Sequence, residues 1–239
     1  MKTKKCGYWI VRSLLIGALL FAVSGIASTA YADAARDSAQ LVEKARMTLE
    51  NFVKAPEMDA FRKLLKDARG VFISPQVLKG AFIFGASGGS GVFLSRDRKT
   101  GTWAGPAFYT IGEASFGFQA GGKASEVILL AMTDRGVTAL LGNSAKLGAD
   151  VGVAVGPVGM GAAASTANLS ADIISFASSK GLFGGIAVDG AVVKVRNGLN
   201  NAYYHKKNLT PTDILIRRTV TNPQAKSLTK AVAAAVEGK

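Results

Sequence analysis

Apolar positions recur every three to four residues at both ends of this chain, and every second residue or in unbroken runs through its middle. That change of period predicts helices at the ends and strands between them. From Asp33 to about Lys54, the residues Leu41, Ala45, Leu49 and Phe52 share one helical stripe, with Glu43, Lys44, Arg46 and Glu50 turned elsewhere. Ala55-Pro56 ends that helix. A second runs from Pro56 to Ala68 on a stripe of Met58, Phe61, Leu64, Leu65 and Ala68. Gly70 closes it, and Val71-Phe72-Ile73 opens a strand that Ser74-Pro75 is expected to break, because proline donates no ladder hydrogen bond.

Gly80 to Gly122 holds 11 of the chain's 28 glycines and 8 aromatic residues. Alternating aromatics between glycine turns suit half-buried pleated strands. Phe82 shares a strand face with Phe84, and Phe116 with Phe118. Gly105-Pro106, between Trp103 and Phe108, reads as a bulge or an edge. Arg96 to Gly101 reads as the turn between two strands. Glu126 to Met132 is a continuous apolar run, predicting a strand buried on both faces. Thr133 then caps a short helix through Leu141. Val151, Val153 and Val155 alternate as a strand, and Ala171–Ala177 and Phe183–Val188 are two more, joined by a turn at Ser178 to Gly181. The spacing of Val192, Val195 and Leu199 predicts a short helix. Thr210-Pro211-Thr212-Asp213 and Asn222-Pro223 are two cap-plus-proline helix starts. The last helix has Leu228, Val232 and Val236 on one stripe, with Lys226 and Lys230 beside it. The expected architecture is α+β: an extensive antiparallel, barrel-like β region with N-terminal and C-terminal helices packed on it.

Residues 1–32 stand apart from this pattern. Lys2, Lys4, Lys5 and Arg12 precede an apolar run from Leu14 to Val23, and Ala30-Tyr31-Ala32 fits a small-x-small cleavage site. The run is shorter than the ~20 residues of a membrane span, so the segment reads as a secretory signal, leaving one domain over 33–239. Four of the 29 basic residues and none of the 16 acidic ones fall in it, which takes the net charge from +13 to +9 for the exported chain. The single cysteine, Cys6, falls there too, so the exported chain has no thiol nucleophile, disulfide or thiolate ligand. A periplasmic or peripheral envelope location is expected.

Chemical motifs are few. Gly85-Ala86-Ser87-Gly88-Gly89 matches the nucleophile elbow G-x-S-x-G, but the residues after it read as turn and strand, and His205 is the only histidine available to a triad. Gly159-Met160-Gly161-Ala162-Ala163-Ala164 matches a dinucleotide fingerprint without the acid expected about 20 residues on. One histidine and no cysteine exclude a His/Cys zinc cluster, and Asn143, Asp150 and Asp172 lack calcium-loop spacing. No cofactor, metal or enzymatic activity is expected. Tyr203, Tyr204, His205, Lys206 and Lys207 read as a basic-aromatic surface patch. The excess positive charge lacks a nucleic-acid recognition signature, and an exported protein meets anionic headgroups instead. Arg62, Lys63, Lys66 and Arg69 flank the apolar stripe of the second helix and are the candidate contacts to anionic lipid or lipopolysaccharide headgroups. The aromatics Phe82, Phe84, Trp103, Phe116 and Phe118 are the candidate lining of an apolar, lipid-sized pocket.

The order of short motifs resembles a known family. It runs A-R-G-V-F-I at 68–73, F-x-F-G at 82–85, G-G-S-G-V at 88–92 and W-x-x-P-x-F-Y-x-x-x-x-x-S-F-G-F-Q-x-G at 103–121. It continues with L-G-A-D-V-x-V-A-x-G-P-V-G at 147–159, S-K-G-L-F-G-G at 179–185 and A-Y-Y at 202–204. This looks like the SYLF domain, over roughly Leu41 to Ala235. The resemblance implies a non-enzymatic lipid-binding module. Eukaryotic members bind phosphoinositides through a basic amphipathic helix, and some bind actin. The membrane-binding logic carries over to Arg62, Lys63, Lys66 and Arg69; an envelope protein partner for the glycine-aromatic sheet is the alternative.

Overall fold

The computed structural model describes residues 32–81, 84–116, 121–159, 170–185 and 187–238. All but the last residue of the expected secretory segment, with Cys6, and also Phe82, Phe118 and most of the 159–164 glycine motif lie outside the described residues. No helix among the described residues is long and apolar enough to cross a membrane.

Helix α1 spans 32–54 and buries Val42, Ala45, Leu49 and Phe52. A 3-10 turn at Pro56–Met58 leads into α2, Asp59–Asp67, which buries Phe61, Leu64 and Leu65. Four long strands follow: β1 (Gly70–Ala81), β2 (Phe84–Arg96), β3 (Trp103–Phe116) and β4 (Gly121–Ala131). The short elements are α3 (Asp134–Leu141), β5 (Ser144–Lys146), β6 (Val153–Val155), β7 (Ile173–Ser179), β8 (Leu182–Gly184) and β9 (Val192–Val195). The chain closes with α4 (Asn197–Tyr203), α5 (Pro211–Leu215) and α6 (Ala225–Glu237). One curled sheet runs in the order β5-β9-β3-β2-β1-β4-β7-β6, with β8 beside β7, and every pairing except β6–β7 is antiparallel. This is the expected α+β architecture, a half-barrel with helices at both ends. Helices α5 and α6 pack on β3, and α2 meets α6.

Several expectations hold in detail. Val127 to Ala131 of β4 are buried between β1 and β7. The Thr133 hydroxyl accepts from Gly136 N at 3.1 Å at the start of α3. Thr210 and Asp213 form a reciprocal capping box on α5. The start expected at Asn222-Pro223 is displaced: α6 begins at Ala225 with Gln224 as its N-cap and no side-chain cap bond, and Asn222 instead accepts from Gln224 N at 2.9 Å in the turn before it.

Others are corrected. Ser74-Pro75 does not end β1; the register shifts against both neighbours between Ile73 and Val77, so a bulge absorbs the residue that has no N–H. Ser74 Oγ donates across that bulge to Ser90 O at 2.9 Å. Val192–Val195 is strand β9, with Val193 and Val195 buried and Val192 and Lys194 exposed. Val192 and Val195 fit period 3 as well as a strand's length, and the buried Val193 between them decides the matter. Phe183–Val188 shortens to β8, and β7 shifts two residues towards Ser179. Lys180 and Gly181 take φ of 52° and 76°, both left-handed, as a two-residue hairpin with right-twisted strands requires. The alternation at Val151 to Val155 yields only β6. Gly105-Pro106, by contrast, forms the bulge expected there: the two residues stand opposite Leu94 alone, between the pairs Phe93–Ala107 and Ser95–Ala104, and Pro106 lies outside Tyr109–Gly112, the part of β3 that pairs with β9.

Gly89 shows why this part of the sheet is glycine-rich. A Cβ there would lie 2.2 Å from the Gln76 carbonyl oxygen, on the bulged side of β1. Gly89→Ala therefore forces backbone apart, and a loss of ~1–3 kcal/mol is expected, measured as a lower urea midpoint at unchanged m value.

Candidate functional site

The four cations predicted on the second helix divide by environment. Arg62 turns inward: Nη1 donates to the carbonyls of Val53 at 2.9 Å and Ala55 at 2.6 Å, and Nη2 pairs with Asp59. Those carbonyls lie in the last turn of α1 and just after it, where helix acceptors lack intrahelical partners. Arg62 thus ties the α1–α2 corner. Lys63 and Lys66, one turn apart, are exposed. Arg69 follows the helix and forms an ion pair with Asp134 at 2.7 Å.

The fold adds cations that lie far away in sequence. The β2–β3 turn is bolted to the end of α2: Arg96 N donates to Arg69 O at 2.8 Å, and Arg96 Nη1 to Lys66 O at 2.8 Å. Arg98 reaches the second oxygen of Asp134, also at 2.7 Å. Asp97 accepts from the backbone N–H groups of Lys99 at 2.8 Å and Thr100 at 2.9 Å, and Arg218 approaches it at 3.5 Å. The hydrogen bonds from Thr100 and Lys99 hold the Asp97 carboxyl below the usual range, and the bond from Arg69 does the same for Asp134. Both acids are therefore ionised partners at neutral pH. The resulting surface carries Lys63, Lys66, Arg69, Arg96, Arg98, Lys99 and Arg218 against the carboxylates of Asp67, Asp97 and Asp134, a surplus of four positive charges. Arg96, Arg98, Lys99 and Arg218 were not legible as site residues; the only signal was the run Arg96-Asp97-Arg98-Lys99 in a turn.

Of the predicted pocket aromatics, Trp103 stands apart from Phe84 and Phe116 along the β2–β3 ladder. Phe84 pairs with Phe116 at one end of the β2–β3 ladder, whereas Trp103 pairs with Arg96 at the other. Phe84 and Arg96 are the two ends of the 13-residue β2, ~40 Å apart along extended chain. Phe82 and Phe118 lie outside the described residues. Trp103 instead borders a cavity of ≈ 370 Å³ with Ile214, Arg218 and Lys226. A larger cavity of ≈ 870 Å³ lies between α1 and the β1, β4 and β7–β8 region. Its lining mixes Lys44, Lys54 and Lys180 with Glu57, Glu126, Asn51 and Gln76.

Two further readings change. Tyr203 and Tyr204 are buried, packed edge-on to each other at 4.9 Å, with Tyr203 also against Phe108 at 5.0 Å, so the 203–207 segment is not an aromatic surface patch. Tyr204 Oη donates to Pro106 O at 2.8 Å, which anchors α4 on β3. Ser87 sits within β2, paired with Lys79 on one side and Glu113 on the other. A nucleophile elbow needs a strand–turn–helix, and that geometry is absent around Ser87. Among the described residues no three His, Cys, Asp or Glu side chains converge on a metal-sized site.

A family profile described as Ysc84, Las17-binding protein actin regulator, matches residues 112–235, more than half of the chain. The chain belongs to the Ysc84 family. The SYLF resemblance read from its motifs is the same relationship. Protein YSC84 of Saccharomyces cerevisiae is 32% identical over 196 residues, covering 78% of this chain and 41% of the yeast protein. Human SH3 domain-containing YSC84-like protein 1 is 31% identical over 167 residues, covering 69% of this chain and 48% of the human protein. LAS seventeen-binding protein 3 of Saccharomyces cerevisiae is 30% identical over 171 residues, covering 68% and 37%. The matched region thus spans less than half of each of these Ysc84 relatives. The profile match includes Asp134 and Arg218 of the basic surface, but starts after α2 and the β2–β3 turn.

Proposed function

We propose that this Ysc84-family domain is a non-enzymatic module that docks on anionic membrane surfaces of the cell envelope. The observation that carries the reading is the surplus of four cations on one surface bolted together by Arg96 and Asp134. Each basic residue near an anionic bilayer contributes ~1 kcal/mol, falling off within a Debye length. The headgroups are those of anionic phospholipid or lipopolysaccharide, reached after export through the 1–32 segment. Co-sedimentation of the 33–239 chain with phosphatidylglycerol vesicles should exceed that with phosphatidylcholine vesicles at low salt, and 0.5 M salt should release the protein. Equal partition into both vesicle types at low salt would refute the reading.

A second reading has its own support. The family description and the yeast relative's name concern binding to another protein. The ≈ 870 Å³ cavity beside α1, with charges of both signs and side-chain amides, suits a polypeptide segment better than a lipid tail. Photocrosslinking from position 51 in intact cells distinguishes the two: one captured protein, with no vesicle binding by the purified domain, selects this reading.

A further inference from the structure

Two guanidiniums from different elements converge on one carboxylate. Arg69, after α2, and Arg98, in the β2–β3 turn, each hold one oxygen of Asp134 at 2.7 Å. All three side chains reach solvent, with exposures of 36%, 68% and 58%. The carboxylate therefore spans a gap that a single phosphate group can also span, since arginine pairs with either anion in forked geometry. Exposed ion pairs are weak, so exchange of one anion for another is permitted. Asp134 also removes one positive charge from the surface where that charge would face a bilayer.

Resting on the docking role proposed above, we infer that Asp134 is a built-in competitor for membrane phosphate. It holds Arg69 and Arg98 at the spacing of one oxyanion in the free protein. On the bilayer, a lipid phosphate takes its place between the two guanidiniums, and Asp134 swings out to solvent. Asp134 thereby sets a threshold: only surfaces dense enough in phosphate to displace it are bound firmly.

Partition of the folded 33–239 chain into vesicles of graded phosphatidylglycerol content tests this. Asp134→Asn should raise affinity by at least the ~5-fold that one added charge brings near an anionic bilayer, and shift the midpoint to lower phosphatidylglycerol content. Asp67→Asn is the control, because Asp67 lies on the same surface, exposed, and makes the same charge change without bridging the arginines. In the double variant Arg98→Gln/Asp134→Asn, the gain from Asp134→Asn should fall well below that seen alone, whereas the Asp67→Asn gain should survive Arg98→Gln. Equal gains for Asp134→Asn and Asp67→Asn, with both surviving Arg98→Gln, would overturn the competitor role while leaving membrane docking intact. Absence of wild-type binding to any anionic vesicle would overturn the docking reading itself.

Discussion

Lys63→Glu combined with Lys66→Glu is expected to abolish binding to phosphatidylglycerol vesicles while the domain stays folded. Each reversal removes one positive charge and adds one negative, so the pair cancels the surplus of four that the surface carries. At ~1 kcal/mol per charge near the bilayer, the loss approaches 10³-fold in partition at low ionic strength, and screening shrinks it at physiological salt. Stability should change little, because both side chains are exposed and form none of the ion pairs that hold α2 in place. The bond from Arg96 to Lys66 uses the backbone carbonyl and survives the substitution. Of the two reversals, only Lys66→Glu lies in the last turn of α2, where an acidic residue costs ~0.3–1 kcal/mol through the helix dipole. Arg62→Glu should behave differently. It removes donors from the Val53 and Ala55 carbonyls and places a carboxylate beside Asp59, so it lowers the melting temperature. Partition and circular dichroism on the same samples separate these outcomes. A double reversal that binds anionic vesicles like wild type would remove the basic surface from the mechanism.

That contrast marks where sequence reasoning reached its limit. The periodicity of α2 identified its buried stripe, since Phe61, Leu64 and Leu65 can share a core only on one helical face. The same periodicity leaves Arg62 and Lys63 looking alike, and only the turn from α1 shows that Arg62 points at carbonyls. The site's remaining parts depend on contacts distant in sequence: Arg96 to Lys66 spans 30 positions and Arg98 to Asp134 spans 36. No local pattern reports those. Pro75 misled because a bulge can absorb a proline that a regular ladder cannot. Tyr203 and Tyr204 misled because their lysine neighbours are on the surface, whereas the rings turn back onto Phe108. The long hairpin strands were legible, since the glycines that allow close approach also mark the block in which they lie.

Phe61→Ala is expected to have the largest effect on stability. Phe61 is fully buried, with its ring edge-on to Phe52 of α1 at 5.7 Å and to Phe176 of β7 at 5.3 Å. Phe52 in turn meets Phe183 of β8 at 5.1 Å, so four rings join α1, α2 and the β7–β8 hairpin in one chain. Truncating a buried phenylalanine to alanine costs ~3–5 kcal/mol, from lost transfer energy and the cavity left behind. Edge-to-face ring contacts account for ~0.5–1.5 kcal/mol apiece beyond area burial. A domain of this size loses roughly 2–4 °C of melting temperature per kcal/mol, so a drop of about 6–20 °C should appear in a thermal scan. The functional consequence follows from the same contacts. Phe61 seats the helix that carries Lys63 and Lys66 and, through the Lys66 carbonyl, receives Arg96. With the ring removed, the cations remain in the chain but their common surface loosens. Anionic-vesicle binding should weaken although no charge has changed. Phe61→Leu, which refills most of the volume, should recover most of both losses. Full vesicle affinity in Phe61→Ala despite the lower melting temperature would show that the lysines bind without the scaffold beneath them.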